Sequence, residues 1–409
     1  MTRVGLMTVG SRGDVEPFVA LALALKRRGA DVRLATHERF RPLADRYEVA
    51  FAPLPGDPAE LMATPAGRRA LSSGKNVGRF LTAFRQLTEH LALPTWDAAQ
   101  AALQDCDVLV YSTFAFQGHY LAQHLGVRAV AAHLQPLLPT SAFASPAMPF
   151  PVPGRLLKRW SHDAVLRLFW QQARPGALRL AARVPGLVIP RDMPFAHALR
   201  DEECIVAVSP SVVPRPSDWP PQAHLTGYWR LPPPPDFTPP PALVAFVEET
   251  PPPIYVGFGS LAQPDPTAVR TLVEAALARV GRRGVIHSGW NGIAGASSPA
   301  IHVVDDIPHA WLFPRVGAVV HHGGAGTTAA ALSAGCPSVV VPHFGDQWFW
   351  AERVEHLEAG VSVPRRRLTA DRLAAAVAAA LARPFPAALA ARLAAEDGAD
   401  AAARVVLGP

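Results

Sequence analysis

One segment, His321-His322-Gly323-Gly324-Ala325-Gly326-Thr327-Thr328, restricts the possible folds more than any other part of the chain. Gly317-Ala318-Val319-Val320 ahead of it is short and apolar enough for a buried strand, and Thr327 to Ala334 behind it reads as a helix stopped by Gly335. A glycine-rich turn between a buried strand and a helix is one half of a βαβ unit, which commits the chain to a parallel sheet. Without Cβ atoms, Gly323, Gly324 and Gly326 let backbone N–H groups come close to an anion, and the first N–H groups of the helix have no partner inside it. Phosphate suits such a site. His322, Thr327 and Thr328 carry donors that could reach the same oxygens. The alternative is a tight turn whose glycines only permit close helix packing.

The same strand and helix alternation runs along the whole chain. Arg3 to Val9 reads as a buried strand, Pro17 to Arg28 as a helix stopped by Gly29, and Asp31 to Thr36 as a second strand. Asp107 to Ser112 and Val127 to Ala132 are further strands, with a helix from Gln117 to Leu125 between them. At 409 residues the chain exceeds one ordinary core. Between Pro214 and Pro241 the composition changes: Pro232-Pro233-Pro234-Pro235 and Pro239-Pro240-Pro241 can continue neither a helix nor a central strand. A stiff tether is therefore expected over 214–241, dividing an N-terminal domain (1–213) from a second one (242–386), with a last helix over 387–409. After the tether, strands are expected at Pro253 to Gly257, Gly284 to His287, Ile301 to Val304, Ala318 to Val320 and Ser338 to Val341. The expected fold class is α/β, with two doubly wound Rossmann-like domains whose strand ends face each other across a cleft.

In the first domain, the turn Gly10-Ser11-Arg12-Gly13-Asp14-Val15-Glu16-Pro17 follows the first strand. It lacks the G-x-G-x-x-G spacing, and no acidic residue closes the second strand, so a nicotinamide dinucleotide fits poorly. Asp14 sits where ligands of open α/β sheets bind, and its carboxylate could take the proton of an attacking hydroxyl. With Pro17 it also has the appearance of a helix cap. Arg12 is open to surface charge or phosphate contact. The long stretch from His133 through Gln135, Phe143 and Pro149 to Pro153 is a candidate wall for a bulky apolar partner. Leu156 to Arg183 reads as a helix, with Trp160, Leu168, Phe169 and Trp170 as core or acceptor-lining residues.

Several function classes are disfavoured. The net charge of +6 comes from scattered arginines with one compact run, Arg365-Arg366-Arg367, expected on a solvated loop; a basic face with interleaved aromatics, as nucleic acid would need, is not visible. Cys106, Cys204 and Cys336 are odd in number and lie in apolar surroundings, so packed thiols are expected. No run of 18 or more apolar residues occurs, so stable membrane insertion is not expected, and a cytoplasmic protein, monomeric or weakly dimeric, is.

Three motifs in order, Gly257-Phe258-Gly259-Ser260, His322-Gly323-Gly324-Ala325-Gly326-Thr327-Thr328 and Pro342-x-x-x-Asp346-Gln347, resemble the donor half of the nucleotide-sugar glycosyltransferases of the GT-B fold. Gly10 to Pro17 resembles the opening of the bacterial antibiotic-aglycone enzymes and of the sterol glycosyltransferases, and Leu134-Gln135-Pro136-Leu137-Leu138-Pro139-Thr140 is similar to the sterol-type branch. The resemblance implies an inverting, metal-independent hexosyltransferase without a cofactor, moving a hexose or deoxyhexose from a UDP- or TDP-sugar to a hydroxyl of a hydrophobic small molecule. It implies Asp14 as general base, and Ser11, Arg12, Ser260, His322, Gly323, Gly324, Gly326 and Thr327 around the donor diphosphate. Asp346 and Gln347 would hold the donor sugar, the backbone at Ile307 and the ring of Trp290 the nucleobase, and His133, Gln135 and Phe143 would line the acceptor. A glutamate that plant members place eight residues after the motif histidine is Ala330 here, which leaves uridine or thymidine open. The last helix, Ala387 to Leu407, is expected to return to the first domain. Another sugar-nucleotide enzyme of this fold, an epimerase or phosphorylase, or a non-catalytic nucleotide-sugar binder, are the alternatives.

Overall fold

The computed structural model describes residues 1–57, 77–148, 150–191, 202–258, 266–288, 296–305 and 307–408. Two compact units emerge, one of residues 1–231 with 397–409, the other of residues 232–396.

The first unit is built on a seven-stranded sheet, ordered β3-β2-β1-β4-β5-β6-β7. Its strands are β1 (Arg3–Met7), β2 (Asp31–His37), β3 (Ala50–Leu54), β4 (Val108–Ser112), β5 (Arg128–His133), β6 (Glu203–Val206) and β7 (Ala223–Leu225). The second unit has a six-stranded sheet, ordered β10-β9-β8-β11-β12-β13. It comprises β8 (Ile254–Gly257), β9 (Gly284–His287), β10 (Ile301–Val304), β11 (Ala318–His321), β12 (Ser338–Val340) and β13 (Gly360–Ser362). Every pairing is parallel. Strand order reverses between β1 and β4 in one sheet and between β8 and β11 in the other, and such switch points open a crevice at the carboxyl ends of the strands. The turn carrying Asp14 follows β1, and the glycine turn follows β11. Each therefore lies at the switch point of its own unit.

Each sheet has its own core. In the first, Leu6, Leu34, Val110 and Val130 meet the buried face of the Arg12–Arg27 helix, chiefly Phe18, Val19, Leu21 and Leu25. In the second, Val256, Ile286, Val320 and Val339 pack with Val273, Leu277, Leu373 and Val377. The three cysteines are free and buried, as expected.

The tether is shorter than composition indicated. Residues 214–231 fold with the first unit: β7 lies among them, and Trp219, Tyr228 and Trp229 are buried, with the Trp229 ring edge-on to Phe18 at 5.6 Å. Prolines exclude a helix interior or a central strand, yet they tolerate an edge strand and a helix start, and Pro241 begins the Pro241–Glu248 helix. The final helix also differs, being two helices. Ala387–Ala395 packs on the Ala325–Ser333 helix in the second unit, while Gly398–Leu407 packs on Arg12–Arg27 in the first. The break follows from Asp397, whose side chain caps the second helix by accepting the Asp400 N–H at 3.0 Å. The returning helix is fixed by a forked ion pair, Arg28 to Asp400 at 2.7 and 2.8 Å.

Candidate functional site

In the first unit the turn after β1 is built around one carboxylate. Asp14 Oδ2 accepts the Ser11 N–H at 2.7 Å and the Ser11 hydroxyl at 2.9 Å, and the Thr8 hydroxyl donates to the Asp14 carbonyl at 3.0 Å. Gly10 is obligatory: its φ is +138°, and a Cβ there would lie 2.4 Å from Asp14 Oδ2. The Gly10 N–H donates to His37 Nε2 at 3.2 Å, tying the turn to the end of β2. Ser11 is therefore the N-cap and Asp14, third in the helix, closes a capping box onto it, which leaves Oδ1 outside these bonds. Burial pushes its carboxyl above the ordinary range, and the two bonds from Ser11 oppose the rise. Arg12 is paired with Glu16 at 3.2 Å.

In the second unit the helix begins at Ala325, two residues before the sequence boundary, with Gly324 as its cap. Thr328 N–H is the first to close onto Gly324 O, so the N–H groups of Ala325, Gly326 and Thr327 precede the helix's own ladder. Two expected donors are engaged elsewhere. The Gly323 N–H goes to His321 Nδ1 at 3.1 Å, and the Thr328 hydroxyl bonds back to Gly324 O at 2.9 Å, because a threonine inside a first turn finds that carbonyl within reach. Gly323 instead matters for conformation, with φ +90° and a Cβ position 2.8 Å from Val340 Cγ1. Gly324 makes room for the His322 ring, since a Cβ there would stand 2.5 Å from Nε2. Burial pushes His322 down to about 4, so near neutral pH it is an uncharged donor and not a cation.

The turn after β12 carries Asp346 and Gln347, the two residues expected to hold the donor sugar. Gln347 Oε1 accepts the N–H groups of His343 at 2.7 Å and Phe344 at 3.2 Å, and Trp350 Nε1 donates to Asp346 Oδ2 at 2.9 Å. The carbonyl end of Gln347 thus shapes the loop. Ile307 packs against the cluster of Tyr255, Leu312 and Phe313. Ser260 and Trp290 lie outside the described residues.

The candidate acceptor wall is a pinned loop. Thr140 Oγ1 donates to Asp218 Oδ1 at 2.6 Å and the Ser141 N–H to Oδ2 at 2.8 Å. His162 faces two carbonyls, Leu137 O at 3.2 Å from Nδ1 and Phe143 O at 3.1 Å from Nε2. His133 is buried with Nδ1 2.7 Å from the Thr113 hydroxyl, and burial pushes it to about 4. Gln135 and Phe143 are half-buried. In the Arg155–Arg183 helix, Trp170 is core as expected, but Trp160 is 63% exposed and Leu168 is exposed too, because that helix turns them away from the unit.

Comparison with known proteins now bears on this arrangement. Residues 4–142 match the glycosyltransferase family 28 N-terminal domain, and residues 261–407 match the C-terminal domain of erythromycin biosynthesis protein CIII-like proteins. The chain is thus similar to family 28 glycosyltransferases in its first unit and to erythromycin biosynthesis protein CIII-like proteins in its second. A sterol 3-beta-glucosyltransferase of Neosartorya fischeri is 34% identical over 388 residues, covering 89% of this chain and 26% of the relative. The chain thus spans about a quarter of the length of the curated relatives it matches. Among solved structures, the glycotransferase of kitacinnamycin aligns with a TM-score of 0.72 at 22% identity, over 99% of this chain and 98% of that one. The Streptomyces sp. SF2575 glycosyltransferase SsfS6 complexed with thymidine diphosphate aligns with a TM-score of 0.63 at 22% identity, over 100% and 99%. These likenesses establish the GT-B fold.

Sequence reasoning passed over three residues that this GT-B chain uses to shape its turns. His37, His162 and His343 carried no motif signal, and what they do depends on partners distant in sequence or on a turn yet to be formed. His343 was the one within reach, since it is an unassigned position inside Pro342-x-x-x-Asp346-Gln347; its Nδ1 lies 2.7 Å from Val341 O.

Proposed function

We propose that the chain transfers a hexose or deoxyhexose from a uridine or thymidine diphosphate sugar to a hydroxyl of a hydrophobic small molecule, with inversion. The observation that carries the reading is Asp14, a carboxylate raised above its ordinary range by burial and held by Ser11 at the switch point of the first unit. A base whose pKa rises toward working pH is better matched to removing an alcohol proton. In the reaction, Asp14 takes the acceptor's proton as its oxygen bonds to the anomeric carbon. The bond from that carbon to the diphosphate oxygen breaks and the nucleoside diphosphate leaves, so an α-linked donor gives a β-linked product.

The second unit binds the leaving group in this reading. The helix opening at Ala325 carries the positive end of its dipole and the unladdered N–H groups of Ala325, Gly326 and Thr327, and His322 adds a neutral donor. Loss of one such preorganised donor typically costs about 3 kcal/mol of barrier. No D-x-D-like site accompanies the donor motif in the sequence, so turnover is expected to persist in chelator. The relative named for a sterol supports a hydrophobic acceptor, and the pinned 134–143 loop is the wall proposed for it.

The test is incubation with uridine and thymidine diphosphate sugars and a panel of hydrophobic alcohols, read by mass spectrometry. A glycosylated alcohol of β configuration supports the reading. Nucleotide-induced thermal stabilisation with neither transfer nor slow donor hydrolysis would instead identify a non-catalytic binder.

A further inference from the structure

The start of the Arg155–Arg183 helix presents an apolar face to solvent. Leu156 is 85% exposed, Leu157 52%, Trp160 63%, and Phe150 just before the helix 59%. Leu156 and Trp160 are four residues apart and Leu157 and Trp160 three, so the three share one side of the helix. The opposite side at this level is buried, where His162 holds the 137–143 loop, and Ser161 is buried between the two sides. A large exposed tryptophan beside two exposed leucines is not explained by packing within the unit.

Cations flank this face. Arg155 and Lys158 bond to neutral oxygens, Ser141 Oγ at 3.4 Å and the Ala142 carbonyl at 3.3 Å, so their charge is not cancelled. Arg159 lies 3.8 Å from Asp218 but keeps its side chain 52% exposed, and that aspartate already takes Thr140 and Ser141. Arg167 follows two turns on, exposed as well. Asp163 is the one carboxylate on the first three turns of this helix.

We propose that the face of Phe150, Leu156, Leu157 and Trp160, flanked by Arg155, Lys158 and Arg159, docks reversibly on a lipid bilayer carrying anionic headgroups. Tryptophan and leucine enter the boundary between headgroups and acyl chains, and the guanidinium and ammonium groups stay at the phosphate level. Charge selects this occupant over a second copy of the chain, because two such faces brought together would oppose like cations. The contact is peripheral, as no single helix among the described residues is long and apolar enough to cross a membrane. It goes beyond the proposed reaction, and its test involves no turnover, so either can fail alone.

The experiment is co-sedimentation of the full chain with vesicles of phosphatidylcholine alone or with 3:1 phosphatidylcholine and phosphatidylserine, at low and high salt. Binding to the anionic vesicles that weakens with salt is expected. The double variant L156S/W160S keeps every charge and should bind at least tenfold more weakly, with an unchanged melting temperature as the control for folding. R155Q/R159Q should lose roughly fivefold per cation removed, whereas R366Q/R367Q, exposed arginines in the other unit, should bind like the parent. The proposal is overturned if the parent ignores both vesicles, if L156S/W160S binds as the parent does, or if R366Q/R367Q loses as much as R155Q/R159Q. It is also overturned if light scattering shows that L156S/W160S converts a dimer to a monomer.

Discussion

Asp14 is held where it costs the folded state something. Because burial raises its pKa, the ionised carboxylate is less welcome in the folded chain than in the unfolded one. Its contribution is therefore best below the unfolded carboxylate pKa and is lost as pH rises through the folded one. Asp14→Asn keeps an oxygen for Ser11 and removes the charge, so near pH 7 it should melt at or above the parent temperature while transfer falls roughly 10²- to 10⁴-fold. Melting curves and initial rates on the same preparation decide this; a destabilised variant would mean that the carboxylate is structural. Gly10→Ala tests the space that this arrangement needs. A Cβ 2.4 Å from Asp14 Oδ2 at φ +138° should cost about 1–3 kcal/mol of stability, measured by urea unfolding, together with most of the activity. Both residues were legible because a glycine and an acid at close spacing leave a pattern in the chain. His37, which receives the Gly10 N–H from 27 residues away, leaves none.

Elements were legible where they are central. The strands beside the switch points read as unbroken apolar runs, while most of those missed are edges. β3 contains Pro53, β7 has three residues inside the proline-rich stretch, and β13 is Gly-Val-Ser, so none carries the composition that burial on both faces imposes. A loop's shape is even less visible, since the 134–143 segment is defined by Asp218 and His162, which are distant in sequence. An imidazole with a carbonyl at each nitrogen can serve only one of them when neutral, and burial favours the neutral form at His162. His162→Ala removes the bridge altogether. It should cost about 1–2 kcal/mol of stability and raise KM for the acceptor severalfold, with KM for the donor unchanged because the glycine turn and the Asp346 turn proposed for the donor belong to the other unit. Steady-state kinetics with each substrate varied in turn separates the two, and an equal rise in both would contradict a loop-specific role.

At the scale of the molecule, histidines set the response to acid. His133, His321, His322 and His343 are pushed down to about 4, 3, 4 and 3 by burial, and His37 and His162 are lowered for the same reason. An unfolded imidazole takes its proton near pH 6.5, so below that value the unfolded chain binds protons which the folded chain refuses. The stability these groups provide is complete above about pH 6.5 and is lost as pH falls toward their folded values, at up to about 1.4 kcal/mol per pH unit for each histidine. Asp14 has the opposite sign, since protonation relieves its burial, but it is one group against these six and His302, which burial lowers as well. Stability should thus fall steeply between pH 6.5 and 4 in both units, as His37, His133 and His162 belong to one and His321, His322 and His343 to the other. Replacing His133 with Gln removes one such proton, so the loss per pH unit should shrink by about 1.4 kcal/mol, read from urea unfolding at pH 7, 6 and 5. An unaltered slope would show that His133 is already charged in the folded chain. In the proposed reaction activity should also fall as pH drops through the raised Asp14 pKa, because a protonated Asp14 cannot accept the alcohol's proton. Initial rates measured down the pH scale, on enzyme that melting curves show to be still folded, separate the loss of the base from unfolding.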